Sequence, residues 1–188
     1  MKETAIRLTA VCACAVVLAL GMVSAASAQD FGYSCFCPLR TDDNCIVLGK
    51  SGIGSPYWWG HAYWSTANRD WGGSDCSGFL IKAWQVPRFS AIGQDYHPFG
   101  TWDIFNYRYH WYPVGRSTAA KADAVGYPDP DGGGGATGHV VMFETGSAYG
   151  QAYVQEATPP RIIRHWRSLS GDIWRVRRRH NMIVGLGL

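Results

Sequence analysis

After Val23 the sequence has no apolar run long enough to span a membrane. It has no internal repeat, which excludes a solenoid or propeller built from copies of one unit. His61, His97, His110, His165 and His180 show no metal-ligand spacing, so no metal is expected and these histidines read as structural. No cofactor motif is present. Charge is also scarce: 17 Lys and Arg stand against 14 Asp and Glu in 188 residues, a net of +3. That balance gives no nucleic-acid footprint overall.

The charge is unevenly spread. From Gln29 to Pro160 there are 8 basic and 12 acidic residues, and from Arg161 to Leu188 there are 7 Arg against one Asp. Seven arginines without a motif read as a solvated strand face that balances an acidic body. No nucleic-acid partner is expected.

What the chain does have begins with a leader. Lys2 and Arg7 precede an apolar run from Ala10 to Val23, and Ala26-Ser27-Ala28 has the small-x-small pattern of a cleavage site. Residues 1–28 read as a secretory signal peptide, cut before Gln29, so the product is expected to be secreted or periplasmic, with no membrane attachment after cleavage. Cys12 and Cys14 lie too early in the run for lipid attachment. Residues 29–54 read as a cysteine-containing arm carrying Cys35, Cys37 and Cys45, with one strand over Cys45-Ile46-Val47-Leu48. In an oxidising compartment one of Cys35 and Cys37 is expected to bridge to Cys45.

Residues 55–188 read as one domain. Its centre is Gly72-Gly73-Ser74-Asp75-Cys76-Ser77-Gly78-Phe79, where a cysteine follows a Gly-rich turn and precedes the apolar run Phe79–Val86, ended by Pro87. Ser74 or Asp75 can cap this helix. Cys76 falls in its first turn, where free N–H groups and the helix dipole favour a thiolate. The reading is of an exposed, prepared nucleophile. Further on, short strand-like runs separated by turn residues start at His139, Ala152, Arg161 and Ile173. A helix followed by such strands predicts an α+β domain with a mostly antiparallel sheet. Asp129 and Asp131 sit in a turn rather than in a calcium loop.

A thiol nucleophile needs a base and a group to orient that base. His139 heads one strand, and Glu156 lies on the next. Alternation turns Gln155 to the opposite face, so Glu156 and Gln155 cannot both reach the histidine. Nine Trp and ten Tyr mostly fill a core, with the cluster at Tyr57-Trp58-Trp59 as the exception.

In Ser55-Pro56-Tyr57-Trp58-Trp59-Gly60, Ser74–Phe79, Ala122-Asp123-Ala124, Gly138-His139-Val140-Val141 and Val154-Gln155-Glu156-Ala157 the chain resembles the NlpC family of papain-like cell-wall cysteine peptidases. The resemblance covers residues 55–157. It implies a papain-like fold, with the nucleophile helix packed on the sheet. It implies Cys76 as nucleophile and His139 as general base and acid, and Tyr57 near the oxyanion or substrate. Asp75 would meet a free amine of the substrate, and Ser77 would lie on the substrate side. Asp123 takes a structural turn. Two departures stand out: Glu156 replaces the family's usual His, Asn or Gln, and Ala122 replaces a glycine, a change expected to be harmless.

The substrate that the resemblance implies is peptidoglycan. The expected activity is hydrolysis of a peptide bond in its stem peptides through a Cys76 thioester, with amidase cleavage between sugar and peptide as the second choice. A wall-binding module without turnover and a secreted thiol-dependent toxin acting on protein are the alternatives from other classes. The sequence names no inhibitor partner.

Overall fold

The computed structural model describes residues 38–65, 67–68, 70–87, 97–108, 110–131 and 137–185. The leader, Cys35 and Cys37 therefore lie outside the described residues. One compact unit runs from Cys35 to Leu188. No helix among the described residues is long and apolar enough to cross a membrane.

The first strand, β1 (Arg40–Thr41), runs directly into helix α1 (Asp42–Ser51). The strand expected at Cys45–Leu48 is thus a helix. Its start is specified locally: the Thr41 hydroxyl accepts from the Asn44 amide at 3.1 Å, and Asp42 and Asp43 occupy the positive end of the helix dipole. Gly49 lets α1 press against the sheet, because a Cβ there would fall 2.2 Å from Gln155 Oε1 and 2.6 Å from Met142. Residues 42–51 of the expected arm therefore pack into the domain. Cys45 is free and buried, and burial pushes its thiol up to about 11, while its expected partners Cys35 and Cys37 lie outside the described residues.

Helix α2 (Cys76–Ala83) carries the predicted nucleophile, and Asp75 is its N-cap. It stops short of Val86. Trp84 caps it, Gln85 takes φ 50°, and the Val86 amide bonds back to the Ile81 carbonyl, a Schellman-type ending. Pro87 is therefore preceded by a turn already outside the helix. Gln85 is exposed, so its left-handed conformation costs backbone energy with no packing in return. Gln85→Gly should stabilise the protein by about 1 kcal/mol. Thermal melting should show a rise of about 2–4 °C; an unchanged or lower midpoint would remove this explanation of the helix end.

Helix α3 (Thr101–Asn106) and β2 (Trp111–Val114) follow, then a 3-10 turn at Arg116–Thr118, β3 (Ala124–Tyr127), β4 (His139–Gly146), β5 (Gln151–Thr158), β6 (Arg161–Ser168), β7 (Arg175–Arg179) and β8 (Met182–Ile183). β2 to β7 form one sheet in the order β2-β7-β3-β4-β5-β6, with every neighbouring pair antiparallel. β1 and β8 pair in parallel as a separate ribbon. The α+β class with an antiparallel sheet is as expected. Strand β2 contains Pro113 and went unrecognised in the sequence; Pro is tolerated there because β2 is an edge.

The central strand β4 is buried on both faces, which is why it reads Val140-Val141-Met142-Phe143 without alternation. Val140 and Met142 join Phe79, Leu80 and Trp84 of the helix layer in one core. Val141 and Phe143 join Val154, Leu169 and Trp174 in a second core on the other face. Asp123 takes its expected structural place. It accepts from the Ala120 amide at 2.7 Å and from Arg178 through both oxygens at 2.8 Å. Ala122, however, sits at φ 67°, where glycine is favoured, and Trp84 Nε1 donates to its carbonyl at 2.7 Å. The change from glycine is therefore not harmless: it places about 1–2 kcal/mol of backbone cost at the turn, partly offset by a fully buried methyl.

The arginine-rich end balances the acidic body, as expected, but through bonds rather than across solvent. Arg164 pairs with Glu144, Arg167 with Glu156 and Arg178 with Asp123. Arg179 is 0% exposed and donates to the Pro38 carbonyl at 2.7 Å.

Candidate active site

The start of α2 is held by its own cap. Asp75 Oδ1 accepts from the Gly78 amide at 2.7 Å and from the Ser77 hydroxyl at 3.1 Å. Oδ2 accepts from the Gly60 amide at 2.8 Å and from His97 Nε2 at 3.0 Å. His97 Nδ1 faces the Phe99 carbonyl at 2.7 Å. A carbonyl and a carboxylate both accept, so both imidazole nitrogens are placed to donate. Burial raises the Asp75 carboxyl, but His97 and the amides of Gly78 and Gly60 outweigh it and hold it below the usual range. The loop that precedes α2 lies directly on it: a Cβ on Gly78 would sit 2.1 Å from the His61 carbonyl oxygen.

This geometry departs from two implied roles. Asp75 is buried, and both its oxygens are occupied by the helix start, the Gly60 amide and His97, so they do not open to a substrate amine. Ser77 is buried with its hydroxyl on Asp75, not on an open substrate side.

Cys76 is only 6% exposed, which corrects the expectation of an exposed thiol. The amides of Val140, Ser77 and Cys76 itself lie on the sulfur and favour the thiolate, as the first helical turn predicts. Burial is the larger effect and, with the Asp75 charge, pushes the thiol up to about 12. Tyr57 is half-buried against the same core, and its hydroxyl is pushed above its ordinary value by burial and by the charges of Cys76 and Asp75. That places Tyr57 beside both residues.

The Val140 amide at the sulfur means that Cys76 meets β4 at its first turn of backbone, next to His139. The β4–β5 register pairs Met142 with Gln155 and Phe143 with Val154. Glu156 therefore faces Val141, and His139 is its diagonal neighbour on the same face. His139 Nε2 is 2.5 Å from Glu156 Oε2. With Nε2 taken, Nδ1 is the nitrogen left for the thiol. Gln155 turns to the other face, where its amide donates to Glu144 Oε1 at 2.6 Å and to the Ile46 carbonyl at 3.2 Å. The structure thus sets Glu156 on His139, the Cys76 sulfur on the amide of the next residue, Val140, and Tyr57 beside Cys76, and keeps Gln155 apart.

Two partners of this cluster were missed in the sequence. His165 Nε2 bonds to Glu156 Oε1, and Arg167 Nη1 lies 2.7 Å from both carboxylate oxygens. The β5–β6 register sets Ile163 opposite Glu156 and His165 opposite Val154, so His165 and Arg167 reach Glu156 along one face of β6. Burial raises the Glu156 carboxyl, but the bond and charge of His139, the bond of His165 and the charge of Arg167 bring it down to about 2. It is ionised at any ordinary pH.

The aromatics divide only in part as expected. Trp64, Trp84 and Trp111 are fully buried and Trp58 and Trp59 are exposed, but Trp71, at 71%, and Trp166, at 59%, are exposed outside the expected cluster. The Trp58 ring covers Gly73, where a Cβ would be 2.4 Å from it, three residues before Cys76. Asp129 forms a turn, its Oδ1 accepting from the Asp131 amide at 3.2 Å and from the Thr137 hydroxyl at 2.8 Å. Among the described residues no group of His, Cys, Asp and Glu could hold a metal.

No family model matches the chain, and no curated protein does. Solved structures resemble it in outline. One is the peptidoglycan hydrolase RipB from Mycobacterium tuberculosis, at 22% identity and a TM-score of 0.48, over 73% of this chain and 63% of that one. Another is the resuscitation promoting factor interacting protein RipA in a mutated form, at 18% identity and a TM-score of 0.46, over 73% of this chain and 61% of that one. A second mutated form of RipA stands at 20% identity and a TM-score of 0.45, over 73% and 62%. The chain spans less than two thirds of the length of each.

Proposed function

We propose that the chain is a cysteine hydrolase of peptidoglycan, exported by its leader and acting on a peptide bond of the stem peptide. The observation that carries this reading is the linked set of Glu156, His139 and Cys76: the 2.5 Å bond fixes the imidazole, and the sulfur sits on the Val140 amide beside it. Such a set performs acyl transfer. Cys76 Sγ attacks the carbonyl carbon as its proton passes to His139. His139 returns that proton to the leaving amine, and a thioester remains. Water, deprotonated by His139, then releases the acid and the free thiol.

Peptidoglycan as substrate is supported by the sequence resemblance to the NlpC family and by the leader. The exposed tryptophans beside Gly73 suit a broad polymer better than a small molecule. Digestion of purified sacculi with mass spectrometry of the soluble fragments tests the reading. A new peptide N-terminus inside the stem is the expected product, and peptide-free sugar would instead name an amidase. Folded protein that binds sacculi and releases nothing would overturn hydrolysis in favour of a binding module. Release from no sacculus, with deamidation or acyl transfer on a protein, would point to a toxin.

A further inference from the structure

The segment that leads into α2 carries an aromatic surface of its own. The Tyr63 amide donates to the Gly73 carbonyl at 3.1 Å and the Ser65 amide to the Trp71 carbonyl at 3.2 Å, and Ala62 bridges Ser74. This register sets Tyr63 opposite Gly73 and Ser65 opposite Trp71. Ala62 and Trp64 are buried on the inner face, while Tyr63 and Trp71 are exposed on the outer one. The exposed rings are held in place. A Cβ on Gly73 would lie 2.4 Å from Trp58 Cγ, and one on Gly72 would lie 2.4 Å from Tyr63 Cδ1. The two glycines ahead of Cys76 thus make room for two rings. Lys82 Nζ also backs Tyr63, 4.6 Å from its ring centre. Apolar rings that face solvent together mark a binding surface, and rings fixed beforehand lose little freedom when a ligand arrives.

The surface carries little charge: residues 57–73 hold one Arg, one Asp and no Lys or Glu. The stem peptides of peptidoglycan bear free carboxylates, whereas the ring faces of its N-acetylated sugars are uncharged and stack on aromatic rings. A second observation points the same way. Both oxygens of Asp75 are taken by Gly60, Ser77, Gly78 and His97, so the carboxylate next to the thiol does not answer a free amine. A stem peptide still joined to its sugar has an amide at that end and offers no amine. We propose that Trp58, Tyr63 and Trp71 form a subsite for the glycan strand of peptidoglycan, which brings stem peptides still amide-linked to their sugar to Cys76. Tyr57 connects the two parts, since it precedes Trp58 and lies beside Cys76. The proposal rests on peptidoglycan as the target, as in the function proposed above.

Calorimetric titration with chitopentaose, an uncharged chain of N-acetylglucosamine without peptide, tests the subsite apart from any reaction. The wild-type protein should bind it, and Trp58→Ala and Trp71→Ala should each weaken binding by about tenfold. Trp166→Ala removes an exposed ring far along β6 and should bind as the wild type does. No binding by the wild type, or an equal loss in Trp166→Ala, overturns the proposal. Trp71 is so exposed that its variant can be read even if Trp58→Ala does not fold. Turnover of a disaccharide-linked stem peptide is then compared with that of the same peptide free. The linked form should have a kcat/KM higher by about tenfold or more. Trp71→Ala should raise KM for the linked form, with kcat and the free peptide unaffected. Equal kcat/KM on the two substrates overturns the proposal, and so does a rise in KM shared by both, which would mean that the rings hold peptide. A protein that binds chitopentaose through these rings and cuts neither substrate keeps the glycan subsite and loses the hydrolase reading. Equal cleavage of both substrates without chitopentaose binding does the reverse.

Discussion

Cys76→Ala should give a folded protein that releases no fragment from purified sacculi. The sulfur is the one atom in the cluster that can form the thioester, and neither the imidazole of His139 nor the hydroxyl of Tyr57 can replace it there. Its packing role is small. Cys76 is buried in the helix core, but alanine keeps the Cβ and the high helix propensity of the first turn. The stability lost should be about 1 kcal/mol or less, and thermal melting should show it. Hydrolysis near the wild-type rate would remove Cys76 from the reaction. The other buried thiol among the described residues, Cys45, lies on α1 beside Asp42 and Arg179, away from the histidine.

His139→Ala should cost on the order of 10²–10⁴-fold in turnover, the usual share of a positioned general acid and base. Two proton transfers depend on it: one from the thiol on attack, one to the leaving amine. Removing the ring does not strand a buried charge, because His165 and Arg167 still hold Glu156. The variant should therefore fold, and the loss can be assigned to chemistry. Turnover should fall with KM little changed. A normal turnover would show that another group takes the proton, and would dissolve the reading of Glu156 as the residue that orients it.

The catalytic cluster was legible because it rests on short-range rules. An eight-residue apolar stretch with no Gly beyond its first turn makes a helix, and Asp75 in front of Cys76 sets where it starts. The separation of Glu156 from Gln155 needs only the alternation of a strand. What failed to show in the sequence depends on contacts across the fold. The burial of Cys76 comes from the loop before α2 and from β4, so the benefit of the helix start looked decisive when desolvation is the larger effect. His165 and Arg167 join the site through the β5–β6 register, which no local pattern states. Helix α1 was hidden because four apolar residues suit a strand or a helix equally well. Its start is set by Thr41 as N-cap and by Asp42 and Asp43 in the first turn, just ahead of those apolar residues.

The place of β7 bears on how the molecule comes to be. It is nearly the last strand in the chain, yet it lies inside the sheet, hydrogen-bonded to β2 on one side and β3 on the other. Strands β3 through β6 can pair in hairpin order, each with the next. Residues Trp111–Val114 must wait for Arg175–Arg179, and the salt bridge from Arg178 to Asp123 waits with them. Such distant pairings carry the largest loop-closure cost and form late. Until then β3 offers an unpaired edge to any neighbouring chain. Pairing of β7 is therefore the step that closes the sheet, and a product broken off before residue 175 would lack its inner strand and leave β2 and β3 unpaired.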